Sequence, residues 1–279
     1  MKQYRIGDFA RALGVTTDFL KHYESAGLIS ACQHENGYRW YPFDQSARVI
    51  EYLRLRNYGV QIKEMADLLK KGPEEVFAQL DERACAMEAE ARRLTALAEE
   101  HRRIRRWHRA LASRAVDWEI RRMGALLFLP HSENQDFRKD ASIPELLAAW
   151  CSMFPVTKSA LAVDLTADGG AGGASPIRGE RLRWGLAVEE ALLERAELPR
   201  EPPVERFAFT KAFVLHFSAL PEAFLMQSVA DGSHPALRKM ASLGLRPAGT
   251  GFLVSEMRVG NDTGATSVGM GRFIIPIAD

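Results

Sequence analysis

Glu256 is the residue whose type and place most plainly call for chemistry. Gly251 to Val259 reads as a strand in which Glu256 alternates with Phe252 and Val254 on one face, where a carboxylate is costly unless something pairs with it. Trp184 and Trp150 are the large aromatics expected beside it. A carboxylate in an aromatic wall suits a lipophilic cation, through cation–π attraction and charge pairing. An exposed edge carboxylate, or one paired internally with Arg258 or Arg272, fits the same letters, as do two plain core tryptophans. Both readings stand at this point.

Other chemistries find less support. Cys32, Cys85 and Cys151 are widely spaced, which offers neither a disulfide framework nor a CxxC metal knuckle. Spacing supports no Ser-His-Asp or Cys-His arrangement, so a protein that is not an enzyme is expected, with no cofactor. At 279 residues the chain has room for roughly two domains of about 150 residues. With 47% hydrophobic and 26% charged residues it has the composition of a soluble globular protein. No apolar run approaches the roughly 20 residues of a membrane span. The opening MKQYRIGDFARALG has no apolar signal region, so a cytoplasmic location away from membranes is expected. The net charge of +1 is uneven: residues 1–118 carry 20 Lys+Arg against 17 Asp+Glu, and residues 119–279 carry 17 against 19. That excess permits nucleic-acid binding without requiring it.

Ile6, Phe9, Ala10 and Leu13 share one helical face, and Gly14 stops that helix. Thr16 is the N-cap candidate of a second helix with Thr17 and Asp18 in its first turn, and with Phe19, Leu20 and Tyr23 inward. Two short helices about a glycine turn are a helix-turn-helix candidate. Asn36-Gly37 between short segments then predicts a β-hairpin, a wing. Asp44 is expected to cap a helix with Val49, Ile50, Leu53 and Tyr58 inward, and Ile62, Met65, Leu68 and Leu69 mark another before Gly72-Pro73. From Pro73 to about Ala115 strong helix formers run without glycine, about 64 Å of helix. Leu80, Met87 and Leu94, interleaved with Ala84, Ala91 and Ala98, repeat every seven residues, so this helix wants a partner helix. Its six arginines from Arg102 to Arg114 read as a solvated face.

Beyond Asp117, Glu119 to Leu129 and Phe207 to Phe217 read as strands, followed by helices at Ile143 to Phe154 and Pro221 to Leu243. Ala160 to Leu165 and Leu182 to Val188, split by the Asp168 to Gly173 loop, complete the first unit; Gly251 to Val259 and Ser267 to Ile277 complete the second. A duplicated β-α-β-β unit predicts one sheet with helices on one face and a groove on the other. The fold class expected is α+β. Its parts are a winged helix-turn-helix at 1–72, a coiled-coil dimerisation helix at 73–117 and a ligand-binding domain at 118–279.

Tyr4-Arg5-Ile6-Gly7, Gly14-Val15, Leu20-Lys21-His22-Tyr23-Glu24, Gly27-Leu28-Ile29, Asn36-Gly37-Tyr38-Arg39-Trp40-Tyr41 and the Gly59 to Leu69 helix resemble, in order and spacing, the DNA-binding domain of MerR-type transcription regulators. Residues 119–279, ending in Gly251 to Glu256 and Phe273 to Ile277, resemble the gyrase-inhibitor-like effector-binding domain of multidrug-sensing members of that family. The resemblance implies a homodimer on double-stranded promoter DNA that responds to a small-molecule effector and works with RNA polymerase. It implies DNA contact for Thr17, Lys21, His22 and Tyr23 on the recognition helix, for Tyr38, Arg39 and Tyr41 in the wing, and for Arg56. Lys21 stands where the family usually has arginine and His22 where it has the first of two tyrosines; lysine lacks the bidentate fork that reads guanine. Glu256 aligns with the family's groove-floor glutamate, and Trp184, Trp150 and Phe252 complete the ligand set expected around it. Two alternatives remain: a metal or redox sensor of the same family, to which Cys85 would contribute, and a hydrolase-like effector domain.

Overall fold

A computed structural model of the chain describes residues 2–33, 38–111, 116–133, 136–165, 182–221, 228, 231–260 and 268–278. The fold is α+β and divides into two compact units, Met1–Ala91 and Arg92–Asp279.

The first unit runs β1 (Gln3–Arg5), α1 (Ile6–Leu13), α2 (Thr17–Ser25), β2 (Cys32–Gln33), β3 (Arg39–Pro42), α3 (Gln45–Asn57), α4 (Ile62–Leu68) and the start of α5 (Pro73–Leu111). Gly14 ends α1 at φ 68°, a left-handed conformation that costs glycine nothing. The Thr16 side chain accepts from the Phe19 N–H at 3.1 Å and so fixes where α2 begins. β2 and β3 pair antiparallel, and β1 adds to the other edge of β3, a third strand the letters did not show. The Asn36-Gly37 turn lies outside the described residues. α3 departs from expectation: Ile50 is 54% exposed, and Tyr52 and Leu55 are buried with Val49. Steps of three from Val49 stay on the core side of a helix, whereas Ile50 lies about 100° around. Leu69 is also exposed, and Asp44 makes no side-chain cap bond.

The second unit contains the end of α5, then β4 (Val116–Arg121), β5 (Leu126–Pro130), β6 (Ser132–Glu133), β7 (Asp136–Phe137), α6 (Ile143–Cys151), β8 (Lys158–Leu165), β9 (Leu182–Glu189), α7 (Glu190–Ala196), β10 (Glu205–Phe207), β11 (Ala212–Pro221), α8 (Pro235–Ser242), β12 (Gly249–Val259) and β13 (Val268–Pro276). Eight strands form one antiparallel sheet in the order β10-β5-β9-β8-β12-β13-β11-β4. That order is symmetric about the β8–β12 pair, so the duplication is real. Each segment expected as one leading strand is two. β4 crosses to the far half to pair with β11, and β10 crosses back to pair with β5. A single straight strand over Glu119 to Leu129 could not reach both edges, and the chain breaks at 122–125 around Gly124. The helix expected from Pro221 is also different, because Pro221 ends β11 opposite Val268. The described helix starts after His234, whose Nδ1 accepts from the Ala236 N–H at 3.1 Å. The Asp168 to Gly173 loop, Ser267 and residues 112–115 lie outside the described residues.

Alternation along the strands sorts the side chains into two layers. On one face Leu146 and Trp150 of α6 cover Leu127, Leu129 and Leu186, and Ala236 and Met240 of α8 cover Phe213, Phe273 and Ile275. The other face carries Phe128, Ala162, Val214, Phe252 and Ile274. Among the described residues no open groove has Glu256 in its floor: α5 reaches this face through Glu100, Arg103 and Trp107, which meet Lys158, Glu256 and His216.

Gly185 in β9 shows how closely its neighbour strand β5 approaches. A Cβ there would run into the Leu129 carbonyl oxygen and lie 2.7 Å from the Phe128 ring. Gly185→Ala is expected to cost about 1–3 kcal/mol by overpacking. Urea denaturation checks it, and an unchanged midpoint would mean that the β5 backbone at Leu129 and the Phe128 ring both shift without cost.

Candidate DNA interface and ligand cavity

In the first unit, the side chains of Lys21 and His22 project from α2 into solvent, with Lys21 Nζ 3.0 Å from Asp18; Thr17 sits half-buried in the first turn. Beside this helix lies an open concavity of about 890 Å³, lined by Phe19, His22, Tyr23, Arg56 and Lys63 among others. The Arg56 guanidinium stands 5.9 Å from the Phe19 ring centroid. Phe19 in turn stacks on Tyr23 at 4.0 Å. The Tyr23 ring is core, only 2% exposed, and its hydroxyl has no hydrogen-bond partner among the described residues. Burial pushes its pKa up, and the nearby Arg56 pulls it part-way back.

The hairpin presents two further residues. The Arg39 side chain is largely open, with Nε 3.6 Å from Glu24. Tyr38 is exposed, with the Arg5 guanidinium 5.2 Å over its ring. Tyr41 corrects the expectation of a backbone grip. It is fully buried, stacks on Phe9 at 5.3 Å, and donates its hydroxyl to Glu24 at 2.9 Å. Residues alternate sides along β3, which turns Tyr41 toward the core. The structure thus gathers His22, Tyr23 and Arg56 at one concavity, with Thr17 and Lys21 on the same helix as the first two. Lys63 was missed; its only signal was a cation in the first turn of α4.

In the second unit a cavity of about 290 Å³ lies over the central strands β8 and β12, on the face that carries α6 and α8. Leu161, Phe217, Leu253, Trp184 and Met270 give it an apolar lining, with Ser159, Ser255 and Arg258 as its polar groups. Trp184 Nε1 donates to Ser159 Oγ at 2.9 Å. Of the expected ligand set, only Trp184 is here. Trp150, on the sheet side of α6, is fully buried and donates to the Pro199 carbonyl at 3.1 Å, which makes it a core residue. Phe252 lies on the opposite face, edge-on to Phe207 at 4.9 Å and Phe128 at 5.5 Å.

Glu256 also lies on that opposite face, at a β-bulge between Ser255 and Met257. One oxygen is 2.6 Å from Arg272, the other 2.6 Å from Lys158, and Arg103 stands at 3.7 Å. Lys158 Nζ also donates to Glu100 at 2.6 Å, and Glu100 receives both arms of Arg103 at 2.6 and 2.7 Å. Burial pushes the Glu256 carboxyl up, but Arg272, Lys158 and Arg103 together hold it below the usual carboxylate range. Glu100 behaves likewise, with Arg103 and Lys158 outweighing its burial. The internal pair with Arg272 is therefore the reading the structure holds. Arg103 is also not the solvated arginine its run of letters implied.

Among the described residues no three His, Cys, Asp or Glu side chains gather as a metal site, and the three cysteines are exposed and unbonded. No described helix is long and apolar enough to cross a membrane.

Residues 4–72 match the family described as MerR HTH family regulatory protein. Those residues form a MerR-type helix-turn-helix domain. Over 90 residues it is 34% identical to the nodulation protein NolA of Bradyrhizobium diazoefficiens, an alignment covering 28% of this chain and 38% of that one. Over 98 residues it is 30% identical to the multidrug-efflux transporter 2 regulator of Bacillus subtilis, covering 34% of this chain and 36% of the relative. The matched MerR segment thus spans under two fifths of these relatives' length. Among solved structures, EcmrR in a DNA complex aligns over 98% of this chain and 99% of its own, at 14% identity and a TM-score of 0.36. HiNmlR, a MerR family regulator lacking the sensor domain and bound to promoter DNA, covers 40% of this chain and 96% of its own, at 22% identity and a TM-score of 0.33.

Proposed function

We propose that this chain is a MerR-type, ligand-responsive transcription regulator, not an enzyme, which grips double-stranded promoter DNA as a homodimer and answers to a small lipophilic effector. The observation that carries the reading is the concavity beside α2, lined by Arg56, Lys63 and Tyr23, whose hydroxyl has no hydrogen-bond partner among the described residues; a phosphate is the group that suits such a lining. Lys21 and His22 are the groups for base edges, and Arg39 and Tyr38 grip the flanking backbone. The effector takes the 290 Å³ cavity. Bending and undertwisting a promoter for RNA polymerase costs several kcal/mol, which a ligand supplies only through different affinities for two states. The setting we propose is cytoplasmic, away from membranes.

The partner helix in this reading is α5 of a second copy. Met87 and Leu94 are each 52% exposed, and Ala91 lies between them on the heptad pattern. Ala91→Trp is expected to shift sedimentation toward monomer; an unperturbed dimer, or a monomeric parent protein, counts against the pairing.

Duplexes enriched from a random library test the DNA contacts by fluorescence anisotropy. Arg39→Ala and Arg56→Ala are expected to lower affinity roughly tenfold on enriched and unrelated duplexes alike, as phosphate contacts do. Lys21→Ala should also narrow the gap between the two. Tyr23→Phe separates binding from stability: removing an unpaired buried hydroxyl leaves the fold as stable or up to about 1 kcal/mol more so, while DNA affinity falls. If Tyr23→Phe and Arg56→Ala bind as the parent does, the concavity plays no part.

A further inference from the structure

We infer that Arg83 of α5 is a positioning residue for DNA binding: its guanidinium holds the shape of the concavity beside α2 without touching the duplex. The inference deepens the proposed function and rests on the reading of that concavity as a DNA contact.

Three observations carry it. First, the two arms of Arg83 reach to either side of one short segment. Nη1 donates to the Gly59 carbonyl at 2.9 Å, and Nη2 donates to the Glu64 carboxylate at 2.9 Å. The four residues between those acceptors, Val60, Gln61, Ile62 and Lys63, all line the concavity, whereas Arg83 does not. Second, each acceptor is tied to the backbone beside a cation of the site. The Gly59 N–H donates to the Arg56 carbonyl at 2.8 Å, so the turn that Arg83 grips begins at Arg56. The Glu64 oxygen that meets Arg83 also accepts the Gln61 N–H at 3.3 Å, which fixes the first turn of α4, where Lys63 stands. Third, the turn between the two cations pivots on Gly59 at φ 74°, a position with no side chain of its own to brace it.

The remaining contacts explain why a guanidinium is needed there. Val76 and Leu80 of α5 pack on the core of this unit, and apolar contact of that kind holds a helix close without fixing a direction. A planar guanidinium donates at fixed angles, and here it spans a carbonyl and a carboxylate at once. The Arg83 and Glu64 side chains are 33% and 41% exposed, and an ion pair in so open a place adds little to stability. Its consequence is geometric. A duplex presents phosphates at set spacings, so Arg56 and Lys63 act together only when the turn between them is held.

Fluorescence anisotropy of the full chain on the enriched duplexes, over a series of potassium chloride concentrations, tests this. Arg83→Met is expected to lower affinity five- to tenfold, with the slope of log affinity against log salt as in the parent, because no phosphate contact is lost. Arg56→Ala should make that slope shallower by about one, as loss of a phosphate contact does. Arg83→Lys keeps the charge but cannot span both acceptors, and should bind no more than twofold better than Arg83→Met. Val76→Ala trims α5 where it packs on the core and is the control for a merely weakened fold; its affinity should stay within twofold of the parent. Parent-like binding by Arg83→Met, a shallower slope in that variant, full recovery in Arg83→Lys, or an equal loss in Val76→Ala overturns the proposal. Should Arg83→Met lose its circular dichroism spectrum, Glu64→Gln takes its place. It removes a negative charge near the duplex, which by charge alone favours DNA, yet about threefold weaker binding is expected; binding as tight as the parent's or tighter overturns the proposal. Failure of the concavity reading looks different, because Arg56→Ala then binds as the parent does at every salt concentration.

Discussion

Lys158→Met is expected to destabilise the unit Arg92–Asp279 by about 3–5 kcal/mol, the cost of breaking a buried ion pair from one side. Lys158 is 5% exposed and its ammonium sits 2.6 Å from both Glu100 and Glu256. Without it two buried carboxylates face each other across the vacated space. Each keeps one close arginine, Arg103 for Glu100 and Arg272 for Glu256, which is why the loss is not larger. Adding Glu100→Gln to Lys158→Met should recover a substantial part, because it removes the like-charge contact the first change exposes. Urea denaturation of the parent, both single variants and the double variant gives the coupling. A loss below about 1 kcal/mol for Lys158→Met would mean that water replaces the ammonium. The pH dependence has a definite sign: Glu100 and Glu256 have depressed folded pKa values. Their contribution is complete above the ordinary carboxylate pKa of about 4.3 and fades as pH falls through their folded values.

A second large effect belongs to His234. It is fully buried at the start of α8, edge-on to Phe273 at 4.8 Å, and its Nε2 has no partner among the described residues. Burial lowers its pKa to about 4, against about 6.5 when unfolded. The unfolded chain takes the proton first, so stability is complete above pH 6.5 and falls as the solution is acidified toward pH 4. The shift corresponds to about 3 kcal/mol. His234→Asn keeps an acceptor for the Ala236 N–H but cannot titrate. Between pH 7 and pH 4 the parent should therefore lose about 3 kcal/mol more than this variant. Parallel denaturation curves across that range would show that the folded protein accepts the proton without penalty.

Local patterns were legible and long-range partners were not. α1 has the predicted limits because its apolar spacing and Gly14 both act within one turn, and Thr16 caps α2 by the same local logic. Ile50 was misplaced because Val, Ile, Tyr and Leu crowd α3 and more than one apolar stripe fits its letters. The leading strands were fused because the break after Arg121 carries one glycine and no proline, a weak turn signal for so large a change of direction. The face of Glu256 was read correctly from alternation with Phe252 and Val254. Its partners were another matter. Lys158 and Arg103 are far away in sequence, so nothing in the letters around Glu256 announces them. Arg258, offered only as a possible partner for Glu256, instead lines the cavity.

The exchanged leading strands set a schedule for synthesis. β4 finds its partner β11 only when residues 212–221 have been made, some 90 residues after β4 itself. At about 5–20 residues per second that is a wait of the order of ten seconds. Throughout it Trp118 and Ile120, still about 40% exposed even in the finished sheet, belong to a strand with nothing beside it. A second nascent chain on the same message, further along, would carry a β11 ready to receive it. The resulting product would be two chains that have traded β4, each sheet complete and every hydrogen bond satisfied.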